Sequence, residues 1–191
     1  MKKAIPTIAI ATLLVSGCAF QQQQVMLQPE LRALPSEMGQ GKNVAIKIMD
    51  ERPEKDFGHR GNVYGKAAKI TSNQDVATVI REKVADGLKR NGFQPEQWKE
   101  EATRTLKVEI RLIEYSTSVG FWSGGIHTKS TLKAIANSNG KQYENFYRGE
   151  NEDRVFVVPF ADENERYIND VVSLSLQKMF NDTELLMFLA R

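Results

Sequence analysis

Residues 104–119 read RTLKVEIRLIEYSTSV (Arg104–Val119), and the spacing of their apolar side chains decides the fold. Leu106, Val108, Ile110 and Leu112 fall on one side of an extended chain, with Lys107, Glu109 and Arg111 on the other. A period of two predicts a strand with one face buried and one face wet, in an antiparallel or mixed sheet. After Leu112 the parity changes, and Ile113, Tyr115, Thr117 and Val119 take the apolar-leaning positions. A bulge near Leu112 and Ile113 would produce that switch. A simple strand end would produce it equally well.

Downstream, Gly120-Phe121-Trp122-Ser123-Gly124-Gly125 predicts a turn, and residues 126–137 a returning strand. Ser138-Asn139-Gly140-Lys141 contains the Asn-Gly pair of a tight hairpin, which makes residues 142–149 the next strand. Residues 154–160 either extend the sheet or connect it to a helix. Over residues 162–181, Ile168, Val171, Val172, Leu176, Met179 and Phe180 lie along one side of that helix. Asp182 and Thr183 suit the cap of a short last helix carrying Leu186, Phe188 and Leu189.

Upstream, Val76, Ile80, Val84 and Leu88 recur at four-residue spacing, which predicts a helix over residues 74–91 capped by Ser72 or Asn73. Lys89 and Arg90 suit its last turn and Gly92 its termination. Residues 44–49 (VAIKIM) read as a short buried strand that ends at Asp50-Glu51-Arg52-Pro53. Residues 55–66, with Gly58, Gly61 and Gly65, read as a loop, and residues 67–71 as a short second strand. The order β-(β)-α-β-β-β-α predicts a two-layer α+β domain. It has a mixed or antiparallel sheet of four to five strands under two main helices, and it spans residues 43–191.

The amino terminus adds an address. Lys2 and Lys3 precede a short apolar stretch from Ile5 to Val15, the pattern of a secretory signal over residues 1–17. The stretch is shorter than the about 20 apolar residues a bilayer span needs. Val15-Ser16-Gly17-Cys18 resembles the bacterial lipobox, and Cys18 is the chain's single cysteine. That resemblance implies acylation of Cys18 and cleavage before it; two or more acyl chains make an anchor stable. Ala19 stands where an aspartate marks inner-membrane retention in enterobacterial lipoproteins, which implies the outer membrane, facing the periplasm. Residues 18–42, with Gln21-Gln22-Gln23-Gln24, Pro29, Pro35, Gly39 and Gly41, read as the lipidated cysteine and a flexible tether. Such a coil would reach ~25–30 Å. Val25, Met26 and Leu27 offer the alternative of docking on the domain.

Charge and cysteine content narrow the function. The chain carries 26 Lys and Arg against 24 Asp and Glu; loss of Lys2 and Lys3 with the signal leaves 24 against 24. A neutral chain lacks the net positive charge usual in a nucleic-acid binder. With Cys18 acylated no thiol is left for a disulfide, so stability rests on a hydrophobic core.

The chain resembles the YajG family of small uncharacterised lipoproteins of Gram-negative bacteria. The resemblance rests on the lipobox, the strand ending in Asp50-x-Arg52, and the helix closing on Arg90-Asn91-Gly92-Phe93. The long meander and the terminal Asp182-Thr183 segment with Phe188 complete it. The loop from Gly58 to Gly65 and the tip from Phe121 to Gly125 lie outside it. The resemblance implies a membrane-anchored periplasmic domain and carries over no catalytic residue.

No chemical constellation emerges. His59 and His127 are the two histidines, neither in a helical or Cys-x-x-Cys ligand pattern, so no metal or other cofactor is expected. There is no Gly-x-Ser-x-Gly elbow and no phosphate-binding glycine loop. The acidic run around Glu150, Glu152, Asp153, Asp162, Glu163 and Glu165 reads as a solvated loop and the first turn of a helix. Three features compete with structural explanations. Asp50 and Arg52 project to the same side and would bind a polar group or brace a loop. Phe121 and Trp122, flanked by glycines, would contact a partner or headgroups, or fold back on the sheet. Phe57, His59, Arg60 and Tyr64 lie in the glycine-rich loop. The reading is a non-catalytic module that is anchored through acylated Cys18 and binds an envelope protein or cell-wall partner. The alternative is a carrier or sensor of a lipid or cell-wall fragment, with a hydrolase a distant third.

Overall fold

The computed structural model describes residues 22–32, 34–60, 68–119, 124–155 and 159–191. Within them the chain forms strands β1 (Gln23–Gln24), β2 (Asn43–Asp50), β3 (Gly58–Arg60) and β4 (Ala68–Thr71), then helix α1 (Val76–Arg90). Strands β5 (Gln94–Gln97), β6 (Arg104–Val119), β7 (Gly124–Ser138) and β8 (Lys141–Val155) come next. Helices α2 (Ala161–Phe180) and α3 (Thr183–Ala190) close the chain.

Strand β6 organises one mixed sheet. Along one side it pairs with β7 in antiparallel register from Arg104 against Ser138 to Val119 against Gly124. Its other side is shared. The first half takes β2 in parallel, and Tyr115 takes Gly58 of β3. Beyond these lie β5 on β2, β4 on β3 and β1 on β4, while β8 completes the meander beyond β7. Leu106, Val108 and Ile110 are buried, and after a register shift between Ile110 and Leu112 so are Ile113 and Tyr115. The shift is a bulge, so the chain swaps faces without ending the strand. The β7–β8 turn places Asn139 at φ 53° and Gly140 at φ 75°, the left-handed pair that a two-residue hairpin needs.

Helices cover one face of this sheet. Asp75, not Ser72 or Asn73, caps α1, accepting from the Ala77 amide (3.1 Å) and the Thr78 hydroxyl (2.7 Å). Gly92 at φ 77° ends it, with Phe93 N–H donating to Leu88 O and Gly92 N–H to Lys89 O, as in a Schellman motif. α2 buries Ile168, Val171, Val172, Leu176, Met179 and Phe180 against β7 and β8. Gly149 permits that approach: a Cβ there would lie 2.3 Å from the Val171 carbonyl oxygen.

Three expectations need correction. Among the described residues the sheet has eight strands, where four to five were expected, because β1, β3 and β5 add two to four residues each. β5 contains Pro95, which a sheet tolerates there because β5 pairs only with β2 and lies at an edge. Among the described residues the helices number three, because the short last helix expected after Asp182 stands as α3 beside the two main ones.

The third correction concerns the tether expected over residues 18–42. From Gln22 onward the segment docks as an extended strap. Val25, Leu27, Pro29 and Leu31 point inward and are buried, while Met26, Gln28, Glu30 and Arg32 are exposed. The amides of Met26, Gln28 and Glu30 donate to Glu165 (2.7 Å), Asn169 (2.7 Å) and Ser173 (2.8 Å) of α2. Two residues of extended chain advance about 6.6 Å and four helical residues about 6 Å, so each second amide meets each fourth side chain. Gln74 accepts from the Leu27 amide at 2.6 Å, and Ser36 and Gly39 donate to Arg90 and Asn91 at the end of α1. Apolar alternation and matched donors hold down what composition suggested was loose.

On the far side of β8, the Phe146 amide donates to the Asn145 side chain (2.8 Å), and Lys178 donates to the Arg148 carbonyl (2.7 Å).

Candidate functional site

Asp50 ends β2 and Arg52 lies two residues on, so a single short turn brings their side chains together. The guanidinium donates twice, Nε to Oδ1 at 2.9 Å and Nη2 to Oδ2 at 2.8 Å. It also lies 5.2 Å from the Phe57 ring centre. Only 3% of the Arg52 side chain is exposed, against 20% for Asp50, and Lys55 approaches the carboxylate at 3.4 Å. Burial alone would raise the Asp50 pKa. Hydrogen bonds and charge from Arg52, with Lys55 behind, outweigh it and hold the carboxyl below its usual range. Arg52 is thus turned inward, and Asp50 is the accessible member of the pair.

The glycine-rich loop is divided. Phe57 is core, His59 is exposed on β3, and buried Arg60 donates from Nη2 to the Pro159 carbonyl at 2.7 Å. Near it lies Tyr115. Tyr115 is pushed up to about 12 by burial, against the opposing charge of Arg60. Among the described residues, Arg60 Nε, the Tyr115 hydroxyl and Asn164 Oδ1 have no partner. Cys18, Phe121, Trp122 and Tyr64 lie outside the described residues.

Two surfaces that sequence did not single out stand in the open. The sheet face opposite the helices carries Lys107, Glu109 and Arg111 on β6, and Lys133 faces Glu144 from β7 to β8. In this field Phe146 is 40% exposed between Lys133 and Arg148, each within 5.4 Å of its ring centre. Farther along, Ser118 Oγ lies 3.2 Å from His127 Nε2, and His127 Nδ1 lies 3.8 Å from Glu152. The second distance is beyond hydrogen-bond reach and the Glu152 side chain is 71% exposed, so this row is a wet polar ladder, not an enclosed triad. On the helical side, a groove of about 530 Å³ runs between the strap and β8, lined by Gln28, Glu30, Arg32, Glu150, Arg166 and Asp170 among others. Charged and polar residues share its lining with Val171 and Leu174, and it is an open groove, unlike the enclosed apolar cavity a lipid carrier needs.

Among the described residues, no three His, Cys, Asp or Glu side chains gather where a metal ion would be held. No described helix is long and apolar enough to cross a membrane.

The fold has relatives among solved structures. Protein XCC0632 from Xanthomonas campestris superposes with a TM-score of 0.52 at 8% identity, over 87% of this chain and 94% of that one. A minor lipoprotein from Acinetobacter baumannii gives 0.45 at 9% identity, over 73% and 90%. Lipoprotein GNA1162 from Neisseria meningitidis gives 0.33 at 12%, over 74% and 99%. At 8% identity the likeness to XCC0632 is one of fold. No curated protein matches the chain. The family described as "Uncharacterized lipoprotein" matches over residues 29–190, and the chain belongs to it; this is the YajG family.

Proposed function

We propose that this lipoprotein is a non-catalytic contact module of the cell envelope, acylated at Cys18 and held on the outer membrane facing the periplasm. It engages another envelope protein or a cell-wall component through the open face of its sheet. The observation that carries this reading is the one-sided helical cover, which leaves β6, β7 and β8 facing water with Phe146 set between two cations. A partly exposed aromatic ring ringed by charge is the composition of a binding anchor with a polar rim. Asp50, and Phe121 and Trp122 in the β6–β7 connection, are further candidate contacts.

Photocrosslinkers placed in cells at Phe146 and, as a control, at Leu174 on α2 test the reading. Capture of one discrete product from position 146 and none from 174 supports it. Equal capture at both, or none at either, overturns it. The anchor is tested separately: Cys18→Ala should abolish lipid labelling and remove the protein from the outer-membrane fraction. A variant that still fractionates there, in a protein that never incorporated lipid, overturns the anchor.

A further inference from the structure

The docked strap fixes where the chain leaves the domain on its way to Cys18. β1 pairs in parallel with β4, Gln23 against Ile70 and Gln24 against Thr71. β4 runs antiparallel to β3, and β3 parallel to β6. The amino end of β1 therefore points toward the end of the sheet where β3 finishes at Arg60, β6 at Val119 and β8 at Val155. The start of α2 is tied to the same end, because Arg60 holds the Pro159 carbonyl and Asn164 donates to the Gln23 side chain at 2.8 Å.

Gln23 lies five residue steps beyond Cys18. Fully extended they span about 17–18 Å, at ~3.3–3.6 Å per residue. The sixteen residues of β6 are about 50 Å long, at ~3.3 Å each. An acyl anchor at Cys18 therefore constrains one end of the domain far more than the other. On that end Phe160 is 71% exposed, the most exposed aromatic among the described residues. The Phe160 amide is fixed by Glu163 (3.0 Å) and the preceding carbonyl by Arg60, so the ring is presented from a braced backbone. An exposed Phe ring held beside a bilayer gains by burying its apolar area at the boundary of headgroups and acyl chains.

We propose that the Arg60–Phe160 end of the domain rests on the phospholipid headgroups, with Phe160 in the interface. The Asn139-Gly140 turn and the end of α1 then face away into the periplasm. The proposal rests on acylation at Cys18. The exposed first turn of α2 carries Asp162 and Glu163 beside Phe160, which suits a zwitterionic surface better than an anionic one.

The test uses the acylated full chain in phosphatidylethanolamine-rich vesicles containing headgroup-quencher lipids. Cys18 is the sole cysteine, so once it is acylated His59→Cys and Lys141→Cys each give a single labelling site at opposite ends. Quenching several-fold stronger at position 59 than at 141 is expected, and Phe160→Ser should roughly halve it. Equal quenching at both sites, or stronger quenching at 141, in protein that floats with the vesicles overturns the orientation. Unchanged quenching in Phe160→Ser overturns the contact assigned to that ring. Protein that carries no lipid and fails to float shows instead that the anchor itself is wrong, and the orientation falls with it.

Discussion

Tyr147, on β8, donates its phenol proton to Asp182 at 2.5 Å, and so joins the long edge strand to the start of the last helix. Asp182 Oδ2 also accepts from Tyr143 (2.8 Å) and Asn145 (3.2 Å), while Oδ1 caps α3 through the amides of Glu184 and Leu185. One carboxylate thus satisfies five donors from two elements. Burial and the negative charge of Asp182 both push the Tyr147 phenol up, keeping it a neutral donor.

Removing that carboxylate should cost both the cap and the bonds to the tyrosines. Loss of an N-cap costs ~0.5–2 kcal/mol and an orphaned buried donor ~1–3 kcal/mol. Asp182→Ala is therefore expected to destabilise by about 2–4 kcal/mol in urea unfolding. In the Tyr147→Phe background the same substitution should cost measurably less, since the pair shares one bond. Additive losses would show the two residues to be independent.

Stability should fall in acid over a definable window. Burial opposes ionisation of Asp182, but the bonds from Tyr147, Tyr143, Leu185 and Asn145 prevail and lower its pKa; Asp50 is lowered likewise by Arg52. A carboxyl depressed in the fold contributes stability fully above its unfolded pKa, about 3.9. That contribution is lost as pH falls through the lower folded value. The wild-type melting temperature should thus drop steeply below about pH 4. Asp182→Asn should show a shallower drop; an identical slope in the variant refutes the assignment.

The strap can be tested as structure. Leu27 is 1% exposed, and Leu→Ala at such a site costs ~2–5 kcal/mol. Leu27→Ala is expected to lower stability by about that much, and the amides of Met26, Gln28 and Glu30 should show protection from hydrogen exchange. A segment that hung free would give neither effect.

Asp50 and Arg52 should respond as a buried pair. Asp50→Ala leaves a guanidinium that is 3% exposed without its counter-ion, for which ~3–5 kcal/mol is typical of buried pairs. Because Asp50 itself is partly solvated, about 2–3 kcal/mol is expected. Arg52→Met together with Asp50→Leu should recover most of it. Thermal unfolding of the single and double variants decides the matter.

Much of the architecture is legible in the chain because it is written locally. The alternation through β6, the four-residue spacing in α1 and the Asn139-Gly140 pair each depend on near neighbours, and each appears in the structure. The strap is legible in part. Val25, Leu27, Pro29 and Leu31 alternate as a strand would, but the partners that hold them are side chains about 140 residues away on a helix. Short strands such as β3 gain their meaning only from β4 and β6 beside them. The exposure of Phe146 and Phe160 depends on which sheet face the helices cover and where α2 begins, and neither is encoded near those residues.

The two plugs on β8 have a consequence for life on a membrane. Confinement to a surface brings copies of a protein to high two-dimensional density, where a bare fifteen-residue edge would recruit the next copy strand to strand. Asn145 occupies the amide of Phe146, and Lys178 occupies the carbonyl of Arg148, in the middle of that edge. Two backbone groups in the middle of that edge are thereby closed to an incoming strand, which works against edge-to-edge pairing.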